Sequence, residues 1–90
     1  MKDKFNDNRL AEEFDLIVLT KNNHRAVGFP AGTIGTLTYS YTGKNNLLYA
    51  LFESARQTRE LAVGLNDFRV LNVKNARDLS IITAHLKNRH

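Results

Sequence analysis

A chain of 90 residues is long enough for one compact domain and too short for two. Its hydrophobic content of 42% and charged content of 24% are ordinary for a globular fold, and its lack of cysteine excludes disulfides and thiolate metal sites. The net charge of +4 is uneven, because residues 1–15 hold three basic and five acidic residues whereas residues 16–90 hold ten basic and four acidic residues. Apolar runs such as Leu16 to Leu19 are far shorter than the roughly 20 residues of a membrane span. We therefore expect a soluble, cytoplasmic protein that does not associate with membranes.

The predicted elements begin with a flexible or partly helical segment over residues 1–12, in which Asp7 can cap one short helical turn. β-Branched, aromatic and alternating apolar residues then predict five strands, over residues 14–20, 33–41, 47–53, 59–65 and 69–73. Apolar residues at helical spacing follow, and Asn75 precedes Asp78 by three positions, as in a weak capping box. Residues 74–90 are therefore predicted to form a C-terminal helix that packs on the strands.

The strand pattern predicts a mainly β fold. Five short strands with close turns favour a small, strongly bent barrel, because closing a sheet removes its exposed edges. Gly32 and Gly35 are predicted to supply bends. Gly35 interrupts the alternation of the second strand, as a β-bulge or a tight bend would, and this would turn Ile34 inward.

Three stretches of the chain resemble a known family. Gly28 to Leu37 (GFPAGTIGTL) resembles the glycine-punctuated second strand of SH3-like barrels, including the KOW type. Leu61 to Leu71 (LAVGLNDFRVL) resembles the strand, short helical turn and last strand that close such barrels. Together with Glu13 to Thr20 (EFDLIVLT), the pattern is similar to a family of small uncharacterised bacterial proteins, a domain of unknown function with this fold. The resemblance covers roughly residues 13–71, implies a five-stranded SH3-like barrel and carries no assigned activity. We therefore predict the barrel over residues 13–73.

The chain lacks a recognisable catalytic pattern. Its three serines and three histidines form no nucleophile–base arrangement, so we predict that the protein is not an enzyme. No two histidines are four residues apart, and the glycines match neither a Walker loop nor a dinucleotide-binding loop. We therefore expect no metal, no cofactor and no small-molecule substrate.

Basic residues in several predicted loops form the first candidate site. In a small barrel these loops can lie near one another, so their charges could gather into a patch that attracts phosphates. The alternative is scattered charge that only solvates the surface. The candidate nucleic-acid contacts are Lys21, His24, Arg25, Lys44, Arg56 and Arg59.

The third predicted strand is apolar on both faces and forms the second candidate site. A barrel strand normally buries one face, so something must cover the other. The predicted helix is one cover, and a partner protein or a second copy is the alternative. The residues of this docking surface are Leu47, Tyr49 and Leu51 on the strand, and Leu79, Ile82 and Leu86 on the helix.

These features together predict a non-enzymatic protein-interaction module in a bacterial cytoplasm. An immunity or accessory protein that binds a partner is one form that such a module could take. The resemblance implies a different alternative, because KOW-type barrels often bind RNA or ribosomal and transcription proteins. That alternative is a nucleic-acid or ribosome-associated binding protein.

Overall fold

The computed structural model describes residues 3–39, 47–54 and 56–87. Five strands lie within these ranges: β1 (Leu16–Leu19), β2 (Ile34–Tyr39), β3 (Leu47–Glu53), β4 (Thr58–Gly64) and β5 (Phe68–Val70). One α-helix, α1 (Ala76–Lys87), follows them, and short 3-10 turns span Asn8–Leu10 and Arg25–Val27. None of the helices in these ranges is long and apolar enough to cross a membrane.

The strands form one antiparallel sheet in the order β4-β3-β2-β1-β5. The prediction of a mainly β fold with a C-terminal helix is confirmed. β3 has its predicted bounds, and the other strands and α1 begin within two residues of the predicted positions. Alternating apolar residues and local turn residues therefore predict the element order of this chain.

The connection between the two edge strands shows that the sheet is strongly curved. β4 and β5 lie at opposite edges, yet Gly64, which ends β4, and Phe68, which begins β5, are four residues apart. Four residues span at most about 14 Å, whereas the edge strands of a flat five-stranded sheet lie about 19 Å apart. The sheet must therefore bend until its edges approach each other. No hydrogen-bonded ladder joins β4 to β5 in the described ranges, so the sheet is open and the closed barrel stays a prediction.

The inner face of the curved sheet holds the main core. Phe29, from the loop before β2, also belongs to this core, and its ring packs on that of Phe52 with centroids 5.4 Å apart. Full burial of one large apolar side chain stabilises the folded state by about 1.5–3 kcal/mol. The largest fully buried side chains are Ile17, Leu19, Phe29, Leu37, Leu48, Phe52, Val63 and Val70.

α1 covers part of the outer face of the sheet. A second buried cluster joins Ile82 of α1 to Val18, Ile34 and Leu71, and Ile81 packs against it. Ile34 is thus buried, but beneath α1 instead of in the inner core, where a bulge at Gly35 would have placed it. The covered part of the outer face therefore belongs to β1 and to the beginning of β2.

An ion pair between a buried aspartate and a half-exposed arginine fixes α1 against the sheet. Asp78, in the first turn of α1, is 4% exposed and accepts hydrogen bonds from both terminal nitrogens of Arg69 on β5, each at 2.9 Å. The backbone N–H of Asn72 donates to the same carboxylate at 2.9 Å. The Arg69 hydrogen bonds hold the pKa of Asp78 below its ordinary value, and those bonds raise the pKa of Arg69. The predicted cap is confirmed, because Asn75 Oδ1 accepts from the Asp78 N–H at 3.1 Å.

The N-terminal segment is tied to the connection between β4 and β5. Asp7 caps the 3-10 turn Asn8–Leu10 through its side chain. The side-chain amide of Asn8 donates to the carbonyl oxygens of Leu65 at 2.6 Å and of Phe68 at 2.7 Å. These two bonds attach residues near the start of the described chain to the region where the sheet edges approach.

The β-bulge lies at a different place from the predicted one. Gly35 pairs in regular register with both Ile17 and Phe52, and the register shifts instead between Leu37 and Tyr39. Gly35 serves close packing, since a Cβ there would lie 2.5 Å from a ring carbon of Phe52. The prediction of a bulge at Gly35 is therefore wrong.

Candidate functional site

Part of the outer face beyond α1 carries exposed aromatic side chains. Tyr49 on β3 is 41% exposed, and Tyr39, opposite it on β2, is 53% exposed. Their ring centroids lie 6.3 Å apart, within the usual range for an aromatic pair. Tyr39 reaches this face because the bulge after Leu37 places it opposite Tyr49 instead of opposite an inner-face residue.

This aromatic pair continues into an apolar surface that ends at α1. Leu51 lies two residues from Tyr49 on the same face of β3 and is half-buried. Leu51 and Leu86 line one small crevice between β3 and the end of α1. We call Tyr39, Tyr49, Leu51 and Leu86 the outer band. It runs from the end of α1 across β3 to the end of β2.

Carboxylates border the outer band. Glu53 lines the same crevice as Leu51 and Leu86. Glu60 of β4 pairs with Leu51 in the ladder and accepts a hydrogen bond from the Thr38 hydroxyl at 2.7 Å. A carboxylate that accepts one hydroxyl keeps further acceptor positions. The band is thus an apolar and aromatic strip with an acidic rim.

The predicted docking residues of α1 divide between two faces of the helix. Ile82 is 7% exposed and packs on the sheet, whereas Leu79 is 48% exposed and Leu86 is also exposed. The sheet-facing side is formed by the residues at positions i, i+3, i+4 and i+7 counted from Asp78, which are Asp78, Ile81, Ile82 and His85. The helix therefore covers only part of the outer face, and Leu79 does not contribute to that cover.

The predicted strand residues of the docking surface lie where their alternation places them. Leu48, Ala50 and Phe52 face the inner core, so Tyr49 and Leu51 face outward. The side chain of Leu47 lies outside the described part of the structure. Tyr39 is a member of the band that the sequence did not indicate, because strand alternation alone assigns it to the same face as Leu37.

Three of the predicted basic residues come together at one end of the sheet. The Gln57 side chain donates to the Val27 carbonyl oxygen at 2.8 Å and so joins the β3–β4 turn to the loop before β2. Arg25, Arg56 and Arg59 each lie within two residues of this contact, and all three are exposed. We call Arg25, Arg56 and Arg59 the basic loop surface.

Two of the remaining predicted basic residues, Lys21 and His24, lie in other surroundings. Lys21 pairs with Asp67 at 3.8 Å, near the connection between β4 and β5. His24 is partly buried, and its Nε2 has no hydrogen-bond partner among the described residues. Lys44 lies outside the described residues. The structure thus brings together half of the predicted set.

Within residues 3–39, 47–54 and 56–87, no group of three or more histidine, aspartate or glutamate side chains is placed to hold a metal ion.

Comparison with protein-family models, with curated proteins and with solved structures finds no match to this chain. The outer band and the basic loop surface therefore have to be interpreted from their own geometry. The band is apolar, aromatic and acidic at its rim, whereas the loop surface is cationic, so the two surfaces suit different ligands.

Proposed function

We propose that this protein is a non-enzymatic protein-interaction module and that the outer band is its partner-binding surface. The observation that carries the proposal is that α1 covers only part of the outer face and leaves Tyr39 and Tyr49 exposed beside it. Exposed apolar patches of this kind are typical of protein-binding sites.

The composition of the band favours a protein ligand. Tyrosines are enriched among the residues that carry most of the binding energy in protein interfaces, because a ring buries a large area and its hydroxyl still finds a hydrogen-bond partner. The two tyrosine rings form an aromatic pair, and Leu51 lies next to Tyr49 on the same face of β3. A partner side chain that packs between them would displace water from both rings.

The acidic rim indicates the chemistry of the partner. Glu53 and Glu60 border the band, so a partner that presents apolar side chains flanked by lysine or arginine complements it. Two copies of this chain, paired face to face through the band, would bring rims of the same sign together. We therefore propose a partner of different sequence, and an immunity or accessory role stays one form of this proposal.

We further propose that the curved sheet is an SH3-like barrel. The strand order and the four-residue step from Gly64 to Phe68 support this reading, because both bring the sheet edges towards each other. In such a barrel the outer face of β2, β3 and β4 is solvent-facing unless another element covers it.

Affinity capture with matched variants tests the function. Immobilised wild-type protein and the Tyr49→Ser and Leu79→Ser variants are exposed to extract of the cells that produce the protein, and the retained proteins are quantified. Both substitutions remove an exposed large side chain, but only Tyr49 belongs to the band. We expect at least one protein that binds the wild type and the Leu79 variant but not the Tyr49 variant.

The protein identified in this way is then purified and titrated. Loss of a central tyrosine typically weakens an interface by about 2 kcal/mol, so we expect the Kd of the Tyr49 variant to rise about 30-fold. Equal effects of the two substitutions, or no protein whose retention depends on Tyr49, would contradict the proposal. A solution mass of twice the monomer that Tyr49→Ser halves would assign the band to self-association instead.

A further inference from the structure

The basic loop surface differs in its pairing from four other cationic residues of the described chain. Lys4, Arg9, Lys21 and Arg69 each lie within 4 Å of a carboxylate. Among the described residues, no carboxylate forms an ion pair with Arg25, Arg56 or Arg59. The sequence around them is also poor in acids, since residues 16–59 hold five basic residues and one acidic residue.

Local hydrogen bonds and strand pairing fix the backbone on the β3–β4 side of the contact. Ser54 Oγ accepts from the backbone N–H groups of Arg56 and Gln57 at 3.3 and 3.2 Å, and the Ser54 N–H donates to the Gln57 carbonyl at 2.8 Å. The turn that carries Arg56 is thereby fixed before Gln57 reaches across to Val27. Arg59 lies opposite Phe52 in the ladder, next to the buried Phe29–Phe52 pair.

The opposite side of the contact is equally constrained. Gly28 adopts φ +98°, in the left-handed region, and its carbonyl-side neighbour Phe29 is buried. A Cβ at Gly28 would lie 2.9 Å from the Gln57 side-chain nitrogen. The chain therefore has a glycine where the two loops meet, and this permits Gln57 to bond to Val27.

The three arginines flank one contact between two loops. Arg25 lies two residues from Val27, and Arg56 and Arg59 lie one and two residues from Gln57, so each arginine backbone is within about 7 Å of a residue that makes the contact. Arginine side chains bind phosphate oxygens through two parallel hydrogen bonds, and several such groups near one another favour a ligand with consecutive phosphates. Phe29 and Phe52, whose rings lie beside the surface, are 1% and 0% exposed and cannot stack on a base.

We propose that the basic loop surface binds the phosphate backbone of a nucleic-acid strand, without reading its bases. The proposal is independent of the partner-binding role of the outer band, because the two surfaces share no residue. Contacts to phosphates alone give binding that depends steeply on salt and weakly on sequence.

Fluorescence polarisation with a labelled 20-nucleotide RNA tests this site at 50 and 200 mM salt. Three phosphate contacts on a single strand give a slope of about −2 in log K against log salt, so the fourfold rise in salt should weaken binding about 20-fold. A second RNA of unrelated sequence should bind within about threefold of the first. Absence of binding by the wild type at 50 mM salt would overturn the proposal.

A pair of charge-matched triple variants separates this surface from general attraction. Arg25→Gln, Arg56→Gln and Arg59→Gln together should reduce the slope to near zero and weaken binding at least tenfold at 50 mM salt. The control combines Lys74→Gln, Arg77→Gln and Lys87→Gln, which remove the same charge from exposed positions at or near α1. Equal losses in the two triple variants would overturn the proposal.

A neutral substitution tests the hydrogen bond between Gln57 and Val27. Gln57→Ala keeps every charge but removes the bond to Val27, so we expect RNA binding to weaken about threefold with a smaller salt slope. Inorganic polyphosphate is the second probe, and tighter binding of polyphosphate than of RNA at equal charge would assign the surface to polyphosphate and overturn the nucleic-acid assignment. Tyr49→Ser should leave RNA binding unchanged, so failure here and failure of the proposed protein-binding role are distinguishable.

Discussion

Replacing Asp78 with asparagine removes the charge that fixes α1 to the sheet. The carboxylate accepts two hydrogen bonds from Arg69 and one from the Asn72 backbone, all at 2.9 Å. An asparagine side chain has one oxygen, and its amide hydrogens would face the guanidinium donors. The variant should therefore keep its fold but lose most of the stabilisation that the Asp78–Arg69 ion pair contributes.

The size of the loss follows from the burial of the two partners. Hydrogen bonds to charged groups contribute about 1.5–3 kcal/mol each, so two lost bonds give an upper bound of about 6 kcal/mol. The Arg69 side chain is 42% exposed, and its guanidinium regains water contacts in the variant, which reduces the loss. We expect Asp78→Asn to lower the free energy of unfolding by about 2–3 kcal/mol.

Urea unfolding measures this loss directly. With a slope of about 1 kcal/mol per molar urea for a domain of this size, the midpoint should fall by about 2–3 M with the slope unchanged. Glu13→Gln, which removes the same charge from an exposed position, should shift the midpoint by less than about 0.5 M. A midpoint for Asp78→Asn as close to wild type as that of the control would refute the reasoning.

Three further outcomes are expected. The Arg69 bonds lower the pKa of Asp78, so its contribution to stability is complete above the ordinary pKa of 3.8 and is lost as the pH falls through the lower pKa of the folded state. The urea midpoints of wild type and Asp78→Asn should therefore converge as the pH falls below 3.8, and a constant gap would contradict this. Gly35→Ala places a Cβ 2.5 Å from a ring carbon of Phe52 and should cost about 1–3 kcal/mol in thermal unfolding, partly reversed by Phe52→Leu; an unchanged Tm would count against the close packing. Ile82→Ala should lower stability by about 2–4 kcal/mol and Leu79→Ala by less than about 1 kcal/mol, and equal losses would mean that α1 packs with a different face.

The strands and the helix cap could be predicted because their signals are local. Alternating apolar residues set the bounds of β3, and an asparagine three residues before an aspartate marks the start of α1. Gly32 is also confirmed as a bend, with φ +95°. Each of these features depends on residues that are close together in the sequence.

The rotation of α1 could not be predicted, because a distant residue sets it. Leu79, Ile82 and Leu86 fall at helical spacing, and so do Asp78, Ile81 and Ile82. The structure selects the second stripe because Asp78 pairs with Arg69 on β5, nine residues earlier. The spacing of apolar residues within the helix does not indicate the ion pair between Asp78 and Arg69.

The position of the bulge depends on tertiary packing for a similar reason. A glycine in a strand can serve a bulge or a close approach, and only the ring of Phe52 against Gly35 decides between them. Because the bulge lies beyond Leu37, Tyr39 faces outward and belongs to the outer band. Tyr39, one of the two rings of the aromatic pair, therefore faces outward because of a bulge whose position the alternation of the sequence does not predict.

Photo-crosslinking in the cells that produce the protein tests the partner-binding role of the outer band most directly. A photoreactive phenylalanine analogue is introduced at Tyr49 and, in separate variants, at Tyr39 and at the exposed Thr83 on α1. The account predicts a covalent adduct with one and the same partner protein from both tyrosine positions and none from Thr83. Adducts of equal yield from all three positions, or none from either tyrosine, would contradict it.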